Sequence, residues 1–131
     1  MSAPEAPIRV VIADDAVGLR RLLRAVLSRQ PEFEVVGEAG NGAEALAAVN
    51  RTRPDLVLLD LTMPVMDGLE ALPRIIGLSP STRVVVFSGF NAGQMEHEAL
   101  ALGAHAYLTK GLPPCELVAA LRRAVEGDGP S

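Results

Sequence analysis

Apolar residues follow two patterns that alternate along the chain. Short continuous runs rich in Val, Ile and Leu are typical of strands buried on both faces of a sheet. Segments with apolar residues three and four positions apart are typical of helices that pack on one face. The first pattern predicts five strands, at residues 8–13, 33–39, 56–59, 83–87 and 104–109, and the second predicts a helix after each of them.

This alternation predicts an α/β fold. Each βα unit is roughly 20–25 residues long, and units of this length join parallel strands through a helix. Right-handed crossovers leave few arrangements, and five units favour a flavodoxin-like (βα)5 doubly wound parallel sheet with strand order 2-1-3-4-5 and helices on both faces. We expect a flexible N-terminal tail at residues 1–7, one domain at residues 8–127, and a C-terminal tail or the start of a linker at residues 128–131.

Several residues make expectations about the helices specific. Asp15 is a candidate N-cap of the first helix, and Gly103 and Gly127 are the expected C-terminal glycines of the fourth and fifth. Pro73 falls inside the pattern of the third helix and predicts a late start or a kink. Three basic residues lie opposite the apolar positions of the first helix and are interpreted as a solvated face: Arg20, Arg21 and Arg24.

Composition narrows the class of protein. The chain has 131 residues, 49% hydrophobic and 21% charged, which fits a single soluble globular domain. A formal net charge of −4 argues against nonspecific binding of nucleic acid by this domain. The apolar runs are too short to span a membrane. A lone cysteine, Cys115, suits a reducing compartment, and we expect a cytoplasmic location.

Polar side chains follow four of the five predicted strands at the point where each strand ends. In the order 2-1-3-4-5 these four strands are neighbours, so their carboxyl ends meet at one edge of the sheet. The groups brought together are Asp14 and Asp15 after strand one, Asp60 and Thr62 after strand three, Ser88 after strand four, and Lys110 after strand five.

This set of groups suits one kind of chemistry. Three neighbouring carboxylates repel each other and need a cation, and oxygen ligands at this density suit Mg²⁺. Asp60, beside a metal and Lys110, can act as a nucleophile toward phosphorus and form an aspartyl-phosphate. The metal and Lys110 would stabilise charge on the transferring phosphoryl group, and Ser88 would hydrogen-bond the product.

The motifs that carry these residues resemble the receiver domain of response regulators in two-component signalling. The chain reads Val-Ile-Ala-Asp-Asp at 11–15, Leu-Leu-Asp-Leu-Thr-Met-Pro-Val-Met-Asp-Gly at 58–68, Ser-Gly at 88–89 and Gly-Ala-His-Ala-Tyr-Leu-Thr-Lys at 103–110. The resemblance covers about residues 7–127. The sequence around 35–39 and the fifth helix is similar to receivers that precede a helix-turn-helix output domain.

The resemblance implies a phosphoacceptor and a metal site. Asp60 would accept a phosphoryl group from the phosphohistidine of a sensor histidine kinase, with Mg²⁺ as cofactor. Asp15, Asp60 and the backbone carbonyl of Thr62 would bind the metal directly, and Asp14 would act mainly through water.

The resemblance also implies a conformational switch. Lys110 would bind the phosphoryl group, Ser88 would be the switch hydroxyl, and Tyr107 the switch aromatic. Added negative charge would draw Ser88 inward and admit Tyr107 into the vacated space. The surface formed by the fourth helix, the fifth strand and the fifth helix would change and control a downstream partner or output domain, with a transcriptional output favoured.

The chain departs from the usual receiver pattern at three places. Lys110 is followed by Gly111 where receivers commonly have proline, so the bond is expected to be trans, the loop more flexible, or the loop differently placed. Pro73 is unusual within the third helix. Thr62 and Phe90, two residues after Asp60 and Ser88, can shape water access and tune dephosphorylation; a bulky Phe90 would shield the phosphoryl group.

Two other functions compete with the signalling switch. A Mg²⁺-dependent phosphatase resembling the haloacid dehalogenases would need a second Asp two residues after the nucleophile, where this chain has Thr62. A degenerate receiver used only for binding would not need the intact acidic and basic set. We therefore expect a regulator that catalyses only its own phosphorylation and dephosphorylation, not a general enzyme.

Partners follow from the same resemblance. A sensor histidine kinase is expected, and a DNA-binding output domain is absent from these 131 residues. A stand-alone receiver and a fragment of a longer regulator both remain open. Homodimerisation through helices one and five, or through helix four, strand five and helix five, is also open. No membrane partner is expected.

Overall fold

The computed structural model describes residues 6–89 and 93–126 as five strands and five helices in strict alternation. The elements in chain order are β1 (Ile8–Ala13), α1 (Val17–Ser28), β2 (Phe33–Ala39), α2 (Gly42–Thr52), β3 (Leu56–Leu59), α3 (Gly68–Leu78), β4 (Arg83–Ser88), α4 (Gln94–Ala101), β5 (Ala106–Thr109) and α5 (Pro114–Glu126). All neighbouring strands are parallel, in the order β2-β1-β3-β4-β5, which confirms the predicted fold class.

The sheet is covered on both faces, so its central strands are buried throughout. All four residues of β3, Leu56–Leu59, are buried, and successive side chains of a strand point to opposite faces. One face carries Val57 and Leu59 into the core beneath α2, α3 and α4. The other carries Leu56 and Leu58 into the core beneath α1 and α5. Packing on both faces fixes the register of the strands, so their carboxyl ends lie along one edge of the sheet.

Helix ends follow local chemistry. The side chain of Asn41 accepts from the backbone N–H of Glu44 at the start of α2, and Asp67 accepts from that of Glu70 at the start of α3. Gly103 follows α4 with φ 110°, a conformation that favours glycine, which confirms its predicted role. Gly127 lies outside the described residues. No helix in the described part of the chain is long and apolar enough to cross a membrane.

Asp15 does not cap α1, so that prediction is wrong. The N-cap residue is Ala16, which offers no side-chain hydrogen bond. The backbone N–H of Ala16 instead donates to Oδ1 of Asp14 at 2.9 Å. Asp15 is exposed. The loop thus uses its first carboxylate to start the helix and leaves the second one facing outward.

Two further boundaries differ from the prediction. Helix α3 begins at Gly68 and runs through Pro73, so the expected late start is wrong; the Asp67 cap fixes the beginning ahead of the proline. Strand β5 begins at Ala106 rather than at residue 104. The backbone N–H of Ala104 is already bound to the carbonyl of Ala99, where it closes the end of α4.

Candidate functional site

The site lies at the carboxyl edge of the sheet, where β1 and β3 end side by side. Ala13 and Leu59 are paired in the parallel register, so the residues that follow them, Asp14 and Asp60, are also neighbours. The backbone N–H of Asp60 donates to the carbonyl of Ala13 at 2.9 Å, which extends the strand pairing by one residue. Both carboxylates are therefore held by the buried sheet itself.

Lys110 reaches into the same site from the end of β5. Its Nζ lies 2.7 Å from Oδ2 of Asp14 and 3.3 Å from Oδ2 of Asp60. Its backbone N–H donates to the carbonyl of Ser88 at 2.8 Å. The side chains of Asp14 and Asp60 are 3% and 5% exposed, and that of Lys110 is 26% exposed, so the ammonium stands between the buried acids and solvent.

Burial and repulsion both act on the carboxylate of Asp60. Burial, and then the neighbouring charge of Asp14, raise the pKa of Asp60, and the N–H of Thr62 and the ammonium of Lys110 only partly oppose them. Burial lowers the pKa of Lys110, but its contacts with Asp14 and Asp60 outweigh this, and the net shift is upward. Both shifts thus favour the protonated forms, the neutral carboxyl of Asp60 and the charged ammonium of Lys110.

The three carboxylates are close enough to share one cation. Asp14, Asp15 and Asp60 each offer an oxygen, and these oxygens lie within 4.8 Å of one another. Asp14 and Asp60 are buried and Asp15 is exposed, so the cluster opens to solvent on the Asp15 side. Carboxylate oxygens are the ligands that hard cations such as Mg²⁺ prefer. The donor set fits a divalent cation.

The loop after β3 is packed against Asp60 through Gly68. A Cβ at Gly68 would lie 2.1 Å from the backbone oxygen of Asp60 and 2.8 Å from Cα of Leu61, which no side chain can occupy. The N–H of Gly68 donates to the carbonyl of Leu61 at 2.9 Å. The Asp67-Gly68 pair signals a turn in the sequence, but the contact that excludes a side chain is visible only in the fold.

The two predicted switch residues occupy different environments. Ser88 is fully buried at the end of β4. Tyr107 is half-buried on β5, where it is paired in register with Val86 and packs against the core beneath α2, α3 and α4. Phe90, the other residue predicted to tune dephosphorylation, lies outside the described residues.

The environment of Thr62 and the peptide bond before Gly111 bear on two other expectations. Thr62 is exposed, and its backbone N–H donates to Oδ1 of Asp60 at 3.2 Å. Within residues 6–89 and 93–126 no peptide bond is cis, so Lys110 and Gly111 are joined by a trans bond. The expected trans bond is therefore confirmed, and the flexibility and placement of the loop stay predictions.

Sequence patterns missed one contact at the site. Arg20 was interpreted as part of a solvated face, but its side chain is only 18% exposed. Its Nη1 donates to the backbone carbonyl of Asp14 at 2.5 Å, and its Nε donates to Oε1 of Glu38 at 3.2 Å. Helical spacing placed Arg20 on the same predicted solvated face as Arg21 and Arg24. No local sequence signal indicates that Arg20 is the one that contacts Asp14.

The comparisons with known proteins agree with this geometry. A family model described as the response regulator receiver domain matches residues 10–122, and the chain belongs to that family of two-component signalling domains. In solved structures, the signal receiver domain of the putative response regulator NarL from Mycobacterium tuberculosis is 34% identical, with a TM-score of 0.88 over 93% of this chain and 98% of that one.

Curated relatives extend the comparison to whole proteins. The chain is 43% identical over 111 residues to the uncharacterized transcriptional regulatory protein YhcZ of Bacillus subtilis, covering 85% of this chain and 52% of that protein. It is 40% identical over 122 residues to the nitrate/nitrite response regulator protein NarL of Escherichia coli, covering 93% and 56%. It thus spans about half the length of these relatives. Against the chemotaxis protein CheY of Listeria monocytogenes it is 36% identical and covers 91% and 99%.

Proposed function

We propose that this domain is a phosphoacceptor switch in which Asp60 takes a phosphoryl group from the phosphohistidine of a sensor histidine kinase. The observation that carries the proposal is the position of Asp60. Its carboxylate is buried at a strand end, beside Asp14 and 3.3 Å from the ammonium of Lys110. Such a carboxylate is disfavoured as a bare anion, and forming a bond to phosphorus removes part of that charge from the buried oxygen.

The transfer is a displacement at phosphorus. A carboxylate oxygen of Asp60 forms the new O–P bond as the N–P bond of the donor breaks, and the imidazole of the donor leaves with that electron pair. Lys110 is close enough to follow the charge from the carboxylate to a phosphoryl oxygen. In the phosphorylated state, the ammonium of Lys110 would contact the phosphoryl group instead of Asp14.

A divalent cation, Mg²⁺, completes the site in this proposal. Asp15, Asp60 and the carbonyl of Thr62 would hold it directly, and Asp14 would act mainly through water. When bound, Mg²⁺ would supply positive charge that offsets the phosphoryl oxygens. The proximity of three carboxylate oxygens, from Asp14, Asp15 and Asp60, within 4.8 Å of one another supports this placement of the cation.

The signal would leave the site through two residues. Ser88 is buried next to the strand end and would turn its hydroxyl toward the phosphoryl group. Tyr107, half-buried one strand away, would move into the space released and change the surface of α4, β5 and α5. Thr62 and Phe90 would set how readily water reaches the acyl phosphate.

The same proposal extends to the chain and its surroundings. Residues 8–127 would form the receiver, with tails at 1–7 and 128–131, in the cytoplasm. The output would be a partner or a DNA-binding domain, as the names of the transcriptional relatives suggest. Turnover would be limited to the domain's own phosphorylation and dephosphorylation. Homodimers through α1 and α5, or through α4, β5 and α5, remain alternatives.

Intact mass spectrometry tests the proposal. The wild type and Asp60→Asn are incubated with acetyl phosphate, with and without Mg²⁺. We expect one phosphoryl addition in the wild type with Mg²⁺, and none in the variant or without the metal. If the folded wild type gains no mass from acetyl phosphate or from a phosphorylated histidine kinase, the proposal fails. Steady release of phosphate at high turnover would favour the phosphatase alternative instead.

A further inference from the structure

We propose that Arg20 is a positioning residue that sets the orientation of the Asp14–Asp15 peptide for Mg²⁺ binding. The inference rests on the proposed function, because it assigns these two carboxylates to the metal. It concerns a side chain that lies on α1, outside the acidic cluster.

The first step is the contact between Arg20 and the main chain of Asp14. Nη1 of Arg20 donates to the carbonyl oxygen of Asp14 at 2.5 Å. That oxygen belongs to the peptide that joins Asp14 to Asp15. A peptide is planar, so holding its oxygen also fixes the direction of the N–H and the Cα of Asp15. One arginine contact therefore orients the backbone between Asp14, which is proposed to act through water, and Asp15, which is proposed to bind the metal directly.

The second step is that every other polar atom of Asp14 is already held. Its N–H donates to the carbonyl of Ala39 at 2.9 Å. Its Oδ1 accepts from the N–H of Ala16 at 2.9 Å, and its Oδ2 lies 2.7 Å from Nζ of Lys110. The carbonyl is the remaining group, and Arg20 binds it. Without the guanidinium, the peptide after Asp14 loses the contact that fixes its tilt.

The third step is that the guanidinium is itself held in place. Nε of Arg20 donates to Oε1 of Glu38, near the end of β2, at 3.2 Å, and the arginine side chain is 18% exposed. Burial raises the pKa of Glu38, but the hydrogen bonds from Arg24 and Arg20 outweigh it and hold that pKa below its ordinary value. Arg20 therefore links the loop after β1 to the neighbouring strand β2 through hydrogen bonds to Asp14 and Glu38.

Arg24 provides a matched control within the same helix. It binds the other oxygen of the same carboxylate, Nε to Oε2 of Glu38 at 2.5 Å. Its side chain is 46% exposed, and it stands one helical turn further from the acidic loop. Loss of Arg24 removes a positive charge and a contact to Glu38 but leaves the bond from Arg20 to Asp14 in place.

Replacing Arg20 by a neutral residue removes both a positive charge and an orienting contact, and these two losses have opposite effects on the affinity for Mg²⁺. Removing a cation near three carboxylates makes the local potential more negative, which tightens the binding of Mg²⁺. Removing a contact that orients the ligands weakens it, and loss of such a supporting contact typically lowers metal affinity about 10- to 100-fold. Weaker binding in a variant that has lost a positive charge therefore identifies positioning.

The test is a Mg²⁺ titration of the unphosphorylated full chain at constant ionic strength, followed by amide chemical shifts. We compare the wild type with Arg20→Met, Arg24→Met and Arg20→Lys. We expect Arg20→Met to weaken Mg²⁺ binding about 10-fold or more, with Arg24→Met within about twofold of the wild type. Arg20→Lys should be intermediate, because a single ammonium does not span both Asp14 and Glu38. At saturating Mg²⁺ the phosphorylation rate of Arg20→Met should return toward that of the wild type.

Several results would overturn the inference. The inference fails if Arg20→Met binds Mg²⁺ as tightly as the wild type or more tightly, or if both methionine variants lose affinity equally. If Arg20→Met does not fold by thermal unfolding, Arg20→Lys decides, and wild-type affinity in that variant contradicts the inference. Absence of Mg²⁺ binding by the wild type overturns it together with the proposed cofactor. A wild type that binds Mg²⁺ but is not phosphorylated defeats only the phosphoacceptor proposal.

Discussion

Lys110 lies closer to Asp14 than to Asp60. The distances from Nζ to the nearer carboxylate oxygen are 2.7 Å and 3.3 Å. In this state the ammonium is held mainly by the residue that is not the proposed phosphoacceptor. Oδ1 of Asp60 is bound by the N–H of Thr62 at 3.2 Å. The carboxylate of Asp60 is thus positioned by the N–H of Thr62, while the shorter contact of the ammonium is with Asp14.

Replacing Lys110 by Met should slow phosphorylation and weaken the fold. The variant leaves Asp14 and Asp60 buried without their cation, so we expect about 2 kcal/mol less unfolding free energy at pH 7. The rate of phosphorylation by acetyl phosphate should fall about 10-fold or more, since the charge that follows the phosphoryl group is gone. Lys110→Arg keeps the charge and should retain the stability. An unchanged rate in Lys110→Met would contradict the role of this lysine.

Asp60→Asn should stabilise the unphosphorylated protein at neutral pH. Burial and the charge of Asp14 raise the pKa of Asp60 above its ordinary value of 3.8. The folded state therefore holds this proton more tightly than the unfolded chain. Through this group, stability falls as pH rises from the ordinary value through the raised one. The gain from Asp60→Asn should be largest above this window and vanish below it.

Thermal and urea unfolding measure this difference from about pH 3 to about pH 8, a range that begins below the ordinary pKa of carboxylates. The comparison uses the pH values at which both proteins unfold reversibly. A variant that is less stable than the wild type at pH 7 would mean that the ionised carboxylate is favoured in the folded state. That result would contradict the cause assigned to the shifted pKa.

Gly68→Ala should disturb the site through packing. Its Cβ would lie 2.1 Å from the backbone oxygen of Asp60, so the start of α3 must move away from β3. We expect a loss of about 2–4 kcal/mol of unfolding free energy and slower phosphorylation. Gly77→Ala is the matched control on the same helix, because nothing lies within 4 Å of its added Cβ.

The control should gain about 0.5–1 kcal/mol, as alanine favours a helix more than glycine does. Urea unfolding of the two variants, with phosphorylation rates measured alongside, compares the two sites directly. Equal effects of the two substitutions would show that the contact with Asp60 has no consequence.

Val65 carries backbone strain in the loop after β3. It has φ 68° and is 84% exposed, and the N–H of Met66 donates to the carbonyl of Pro64 around it at 2.7 Å. A β-branched residue is strained at positive φ, so Val65→Gly should raise the unfolding free energy by about 1 kcal/mol. Leu22→Gly, at an exposed position of α1, should instead lose stability. Urea denaturation of both distinguishes relief of strain from a general effect of glycine.

Much of the fold and the centre of the site could be predicted from the sequence. The bounds of β1, β2 and β3 agree with the structure, because buried central strands are continuous apolar runs. The meeting of Asp14 and Asp60 follows from the parallel register alone. These features depend on periodicity and strand order, which the sequence carries directly.

The features that were missed depend on contacts between distant segments. Arg20 appeared to be a solvated residue, because its bond to the carbonyl of Asp14 forms only once α1 packs on the sheet. Asp15 appeared to be a cap, but Asp14 is the acid that binds the N–H of Ala16, and its other oxygen contacts Lys110, a residue distant in the sequence. The close contact between Gly68 and Asp60 likewise has no local signature.

Identification of the phosphorylated side chain tests the central claim most directly. The domain is phosphorylated with acetyl phosphate and Mg²⁺ and reduced with borohydride, which converts an aspartyl-phosphate to homoserine, and its peptides are sequenced by mass spectrometry. We predict homoserine at position 60 in the wild type and none in protein that was not phosphorylated. Homoserine at position 14 or 15, with Asp60 unmodified, would contradict the assignment of Asp60 as the phosphoacceptor.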